Sequence, residues 1–472
     1  MFTLTDNTKV PTCQGTTRRD FLKIGSLALG GLTLPQLLAA RAQGDARTRQ
    51  LVKDKSVVFL FLQGGPSQIE LFDPKMSAPA EIRSLTGEVQ TRIPGVTFGG
   101  NFSRLANMAD KISIVRSFAT GNADHQNYMT TASGDNPTRA PMGSLYARVA
   151  GANNNRTGIP TNVLVPPEAV IQNFRFPQNF ETQSLQKLVQ SSQNLGASYS
   201  FFDPSGGGEL RQNLDLRISR DRLTDRRALL QQLDTFRRAA DATHAFDNIG
   251  VYEQQAYELL LRGVAEAFDV SREDPRLLAR YDTSGLFSLA DVHRWGDMRR
   301  SSNLLGKQML LARRLCEAGC GFVTVMDAGW DMHSNSNGPR NLGGMMWLGT
   351  QVDHAVSAFL EDVEARGLSD KILLVVTGEM GRTPRINNNG GRDHWATLAP
   401  LLVAGGGLRM GQVIGQSDRQ AGAPATERYT PQHLLATIMQ TVFDTAEVRL
   451  QSSLPRDVER AVTSGTPIRE LV

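Results

Sequence analysis

The sequence predicts an α/β protein: a mainly parallel central sheet covered by helices on both faces, with a helix-rich insertion over about residues 182–300. Three observations predict it. From residue 302 onward, short apolar runs alternate with longer amphipathic stretches. A strand buried on both faces reads as such a run, and parallel neighbours need helical crossovers between them. The runs end in Gly, Pro or acidic residues, which turn the chain. The chain has 472 residues, 40% hydrophobic and 21% charged, which suits one large domain or two smaller ones.

The first segment stands apart. In "TTRRDFLK", Arg18 and Arg19 precede the apolar stretch "IGSLALGGLTLPQLLAA" and the small-residue site Ala40-Arg41-Ala42. Charged head, apolar middle and small-residue exit make residues 1–42 a twin-arginine export signal, with residues 43–472 as the folded α/β domain. The stretch is short and carries Gly30, Gly31 and Pro35, which argues against a membrane anchor. The expected product is periplasmic or secreted, with no transmembrane anchor after signal removal. Lys plus Arg number 51 and Asp plus Glu 47; removing five bases and two acids with the signal leaves 46 against 45, a net +1. That balance gives no reason to expect a nucleic-acid partner.

Along the domain, "SVVFLFLQGGPSQ" reads as a buried strand leaving into a tight loop, and "KISIVRSFAT" as a second strand. "HQNYMTTASG" reads as a helix stopped by Gly134, and "IPTNVLVPP" as a strand. "LRISRDRLTDRRALLQQLDTFRRAA" and "VYEQQAYELLLRGVAEAF" have helical periodicity; the Arg-rich face reads as solvated with i, i+4 pairs. Then follow the helix "NLLGKQMLLARRLCEAG", the strand "FVTVMD", the helix "NLGGMMWLGTQVDHAVSAFLEDVEARG", the strands "KILLVVTGE" and "LAPLLVAGGG", and the helix "PQHLLATIMQTVF". Cys316 and Cys320, spaced i, i+4 at a helix end, read as two buried small residues rather than a disulfide. No internal repeat occurs.

In such sheets, sites collect beyond the carboxyl ends of strands. That rule selects Asp327, Asp331 and His333 after "FVTVM", Glu379 and Arg382 after "ILLVVT", and Arg392, Asp393 and His394 after the next loop. Two of the chain's seven histidines thus lie beside acids after neighbouring strands. Carboxylate and imidazole are the usual ligands of Zn²⁺ or Mn²⁺, and carboxylate-rich sets suit Ca²⁺ or Mg²⁺, so a divalent cation is expected. Residues i and i+2 of an extended segment share a face, so Asp331 and His333 can grip one ion. Asp393 and His394 would point oppositely in a strand but can converge in a Gly-rich turn. Arg382, Arg385 and Arg392 flank the set, and guanidinium groups suit phosphate, sulfate or carboxylate oxygens. Arg382 and Arg392 are the expected substrate-anion binders, with Arg385 a surface residue.

The phrases "FLQGGPSQIELFDPK", "GWDMHSN", "VVTGEMGRTPRI", "GGRDHW" and "LLVAGGGLRMGQVIGQSD" together resemble an exported domain-of-unknown-function family placed in the alkaline phosphatase/sulfatase superfamily. The resemblance covers about Ser56 to Phe443. It implies an alkaline-phosphatase-like α/β sandwich, divalent metal at strand ends, and hydrolysis or transfer of phosphate or sulfate esters. Asp331 and His333 would match the superfamily's central metal ligands, Glu379 would stand where it has an Asp-His pair, and Asp393 and His394 would supply or replace the late histidine ligand.

The departures concern the first strand and the nucleophile. Where the superfamily has an acid ending its first strand, this chain has Gln63, with Glu70 and Asp73 further on. Where it places a nucleophile at a helix start, Thr120 and His125 lie nearest. A nucleophile there would use helix N–H groups to hold an oxyanion. The missing C-x-P-x-R pattern argues against an ordinary sulfatase. Two readings follow: an exported metal-dependent hydrolase of an anionic small-molecule or glycan ester, or a non-catalytic relative that binds a partner or glycan in the cell envelope. A dinucleotide-binding oxidoreductase is excluded for want of G-x-G-x-x-G after a strand.

Overall fold

The computed structural model describes residues 51–125, 128–171, 192–205, 265–334 and 336–472. The expected export signal and most of the expected helical insertion, including its Arg-rich stretch, lie outside the described residues. Residues 54–472 form one compact unit.

The strands in chain order are β1 (Ser56–Gln63), β2 (Glu88–Gln90), β3 (Thr97–Gly99), β4 (Ile112–Val115), β5 (Asn162–Val165), β6 (Phe322–Ala328), β7 (Ile372–Thr377), β8 (Gly381–Arg382), β9 (His394–Trp395), β10 (Leu401–Gly405) and β11 (Gln412–Ile414). Seven of them form the central sheet in the order β11-β4-β10-β7-β1-β6-β5. β1 runs parallel to β6 and β7, β5 parallel to β6, and β11 parallel to β4. β10 is antiparallel to both its neighbours, β4 and β7. The expected α/β class with a mainly parallel sheet is what the chain adopts, with β10 reversed.

The principal helices are α1 (Tyr128–Ser133), α2 (Met142–Ala150), α3 (Leu305–Glu317), α4 (Met345–Ala365), α5 (Pro431–Val442) and α6 (Arg456–Thr463). Alternation along β1 divides them between two faces. Val58, Leu60 and Leu62 belong to the core that includes Leu311 and Leu315 of α3 and Val352 and Val356 of α4. Val57, Phe59 and Phe61 are equally buried and point the other way, and α5 packs against β1. α4 begins at Met345, later than its apolar pattern suggests, because Asn341 and Leu342 take left-handed backbone angles. α3 ends at Glu317, so Cys320 lies in the link to β6 rather than on the helix; both cysteines are buried and free. Among the described residues no helix is long and apolar enough to cross a membrane.

Direction decides where the site forms. β1, β6 and β7 end on one edge of the sheet, and β4, two antiparallel steps from β7, ends there too. β10 starts at that edge, so the β9 segment just before it joins the same cluster of loops.

One buried acid sits under this edge. Asp327, 1% exposed, accepts from Trp330 Nε1 at 2.9 Å and from Gln351 Nε2 at 3.3 Å. Burial pushes its carboxyl up to about 7, against the Trp330 hydrogen bond, which lowers it. Between about pH 4 and 7 the folded chain therefore keeps a proton that the unfolded chain has released. Stability must fall as pH rises through that window. Asp327→Asn, neutral and of the same shape, is expected to flatten the slope and gain about 2–4 kcal/mol over the native chain at pH 8. Urea melts at pH 5 and pH 8 read this directly. Asp353, pushed to about 6 by burial, contributes a smaller slope of the same sign that remains in the variant.

Candidate metal centre

Three loops at the strand-end edge supply the site. The loop after β4 carries His125, the turn after β6 carries Asp331 and His333, and β9 carries His394. Ligand atoms of His125, Asp331 and His394 lie within 4.8 Å of one another. His125 Nε2 and His394 Nε2 each stand 3.2 Å from the same oxygen, Asp331 Oδ1. The two imidazole rings meet edge to face, with centroids 4.5 Å apart.

The far side of each ring fixes what the near side can do. His125 Nδ1 is 2.9 Å from Glu379 Oε1, and His394 Nδ1 is 2.9 Å from the Ala123 carbonyl oxygen. Both partners can only accept when Glu379 is ionised, so both Nδ1 atoms carry the hydrogen. In neutral imidazole that leaves Nε2 a lone pair. Two nitrogen lone pairs and a carboxylate oxygen then face one another, an arrangement that needs a positive charge among them. A shared divalent cation supplies it; in the metal-free chain, a proton on His125 does. Burial disfavours charge on His125, yet Asp331 and Glu379 outweigh it and raise its pKa to about 10. Asp331, though buried, is held far below the usual carboxylate range by His125, His333, His394 and Arg382. Imidazoles locked through Nδ1 by a carboxylate and a carbonyl are the usual outer supports of metal-bound histidine. Two nitrogens and one oxygen fit Zn²⁺ or Mn²⁺ better than Ca²⁺ or Mg²⁺.

The remaining neighbours frame this centre. Asp331 Oδ2 faces His333 Nε2 at 3.2 Å and accepts from Asn337 Nδ2 at 3.0 Å. Arg382 Nη2 donates to Asp331 Oδ1 at 2.7 Å. Glu379 Oε1 also accepts from the Gly64 backbone N–H at 2.8 Å, while its buried Oε2 has no hydrogen-bond partner among the described residues. Gly64 is required here: its φ is +123°, and a Cβ would meet Asp331 N at 2.5 Å and Trp330 N at 2.8 Å. Gly391, in "NNNGGRDHW", lets that loop press on the His333 backbone, since a Cβ would lie 2.7 Å from His333 Cα.

The expected site residues thus separate. His125, Asp331 and His394 converge; His333 adjoins them on the other Asp331 oxygen; Glu379 stands behind His125. Asp393 does not reach the centre. It lies just before β9, is exposed, and takes a hydrogen bond from Asn387 Nδ2 at 2.8 Å. The Thr120 hydroxyl donates to the Asn122 carbonyl at 3.1 Å, as a turn residue does.

Neither arginine is presented to a substrate anion. Arg382, 2% exposed, spends Nε on Gly65 O at 2.6 Å, Nη1 on Arg392 O at 3.3 Å and Nη2 on Gly64 O and Asp331. Arg392, 0% exposed, directs all its N–H groups to Glu70 and to the carbonyls of Ile82, Arg83, Thr383 and Pro384. Burial turns both guanidinium groups into internal clamps. Asn337 was not selected by the sequence, because a lone Asn in "HSNSNG" carries no periodicity or spacing that sets it apart from a turn residue.

The family model described as "Protein of unknown function (DUF1501)" matches residues 54–472. No curated protein sequence matches the chain. Among solved structures, the phosphonate monoester hydrolase SpPMH from Silicibacter pomeroyi is similar at 12% identity, with 82% of this chain and 73% of that chain covered and a TM-score of 0.34. The lipoteichoic acid synthase LtaP from Listeria monocytogenes is similar at 9% identity, covering 90% and 81%, with a TM-score of 0.31. An alkaline phosphatase from the Antarctic bacterium TAB5 is similar at 12% identity, covering 77% and 95%, with a TM-score of 0.30. Likenesses this distant carry no argument about chemistry, which rests on the side chains above.

Proposed function

From the premise that the chain belongs to the DUF1501 family of unknown function, we propose that it is an exported hydrolase of phosphate or sulfate esters that depends on a divalent cation. The observation that carries the reading is the meeting of His125 Nε2, His394 Nε2 and Asp331 Oδ1, with both Nδ1 atoms committed elsewhere. These three would hold Zn²⁺ or Mn²⁺. When bound, the cation supplies Lewis-acid polarisation of an ester oxygen. The chain's own groups do the rest. Glu379 and the Ala123 carbonyl keep the imidazoles turned inward. Arg382 keeps Asp331 ionised and fixed. His333, 30% exposed at its side chain, stands beside Asp331 at the rim, where it can hold or pass a proton. Export rests on the Arg18-Arg19 signal.

A second reading, a non-catalytic binder of an envelope partner or glycan, is favoured by one observation: Thr120, the hydroxyl nearest the expected nucleophile position, is tied into its own turn. Assays of the metal-loaded exported protein against an aryl phosphate, a phosphodiester and an aryl sulfate separate the two. The hydrolase reading expects turnover of at least one, falling about 100-fold or more in His394→Ala. A fully loaded sample inert towards all three favours the binder.

A further inference from the structure

We infer that Asp327 is a positioning residue of the cation site: through the Trp330 indole it fixes the turn that presents Asp331. The inference rests on the metal reading above. Asp327 is not part of the cluster; it lies in β6 beneath it. Its Oδ2 takes the Trp330 Nε1 hydrogen bond at 2.9 Å, and Trp330 is itself only 1% exposed.

The Trp330 backbone is the bracket on which Asp331 hangs. Its N–H donates to Gln63 O at 3.1 Å, at the end of β1, and its carbonyl accepts from Met332 N at 3.0 Å. The same carbonyl lies 3.4 Å from Arg382 Nη2, the nitrogen that donates to Asp331 Oδ1 at 2.7 Å. Three backbone contacts thus hold the turn, and Asp327 supplies its side-chain anchor. Without that acceptor the buried indole N–H is left unpaired and the ring has reason to move. Movement of the ring carries Asp331 with it, and a metal ligand displaced by a fraction of an ångström loses affinity.

An acid in so dry a place is costly, as its raised pKa shows, and Gln351 Oε1 beside it has no hydrogen-bond partner among the described residues. A neutral amide would serve the clamp as well. Asn at 327 keeps an oxygen for Trp330, and its NH₂ can donate to Gln351 once that amide turns over.

Calorimetric Mn²⁺ titration of the full, metal-free chain tests the clamp. Asp327→Ala and Trp330→Phe are each expected to bind about tenfold more weakly, the double variant no more weakly than either, and Asp327→Asn within about twofold of the native chain. Native affinity in a folded Asp327→Ala, failure of Asp327→Asn to rescue, or losses that multiply in the double variant would overturn the inference. If Asp327→Ala does not fold, Trp330→Phe and Asp327→Asn still decide it by the same criteria. If the native chain binds no Mn²⁺, the metal reading fails on its own. Near-ultraviolet circular dichroism of the metal-free proteins then judges the clamp. An indole band altered in Asp327→Ala and kept in Asp327→Asn supports it, and a band unaltered in Asp327→Ala overturns it.

Discussion

Asp331→Ala is expected to lower affinity for Zn²⁺ or Mn²⁺ about 100-fold or more, because it removes a ligand rather than a support. Asp331 is where the site's imidazoles and side-chain donors meet. Its Oδ1 faces His125, His394 and Arg382, and its Oδ2 faces His333 and Asn337. Among the described residues no second carboxylate reaches the same point: Glu379 stands behind His125, and Asp393 is exposed and bonded to Asn387. Thermal melts with and without Mn²⁺ give the measurement. At a metal concentration about 100 times the native Kd, the native chain should gain about 2.7 kcal/mol and Asp331→Ala about 0.4 kcal/mol or less. The substitution also deprives buried Arg382 of its carboxylate, so the metal-free variant should melt somewhat below the native chain. A variant that melts lower yet keeps the full metal-dependent gain would place the cation elsewhere.

The second large effect belongs to a pair that holds the site without touching it. Glu70 and Arg392 are both 0% exposed at their side chains and joined at 2.9 Å. Glu70 Oε2 is further held by Ser84 Oγ at 2.7 Å and Leu85 N at 3.1 Å. Glu70→Ala leaves a guanidinium buried without its counter-charge, and the expected cost is about 3–5 kcal/mol in a urea melt. Removing both charges in Glu70→Met/Arg392→Met should recover much of that loss, since a buried pair repays little more than its own desolvation. A cost below about 1 kcal/mol for Glu70→Ala would mean that water reaches Arg392. The pair bears on the site because Arg392 N donates to Met332 O at 3.1 Å, tying the His394 segment to the Asp331 turn.

What the sequence disclosed and what it hid follow from the range of the interactions. β1, β6 and β7 were legible because strands buried on both faces are apolar throughout, and their carboxyl ends pointed to Asp331, His333 and Glu379. The reversal of β10 was not, since an apolar run reads the same in either direction. The two-residue ladder of β8 and β9 is too short and polar to show a period, yet it pairs His394 with Arg382 beside Asp331, while Asp393 just before it stays exposed. His125 lies ten positions beyond the end of β4, and only the resemblance drew notice to that loop. Arg382 and Arg392 looked like anion binders because guanidinium chemistry permits it. Their true partners include Gly64 and Glu70, more than 300 residues away in sequence, which no local pattern could reveal.

Three converging acceptors, His125 Nε2, His394 Nε2 and Asp331 Oδ1, are proposed to hold one cation. Metal content of the purified, folded chain, after exposure to Zn²⁺ and Mn²⁺ and removal of the excess, tests it most directly. Close to one divalent ion per native chain is expected, and far less in His394→Ala. A folded native sample that retains no metal after loading, or a His394→Ala variant that retains as much as the native chain, would contradict it.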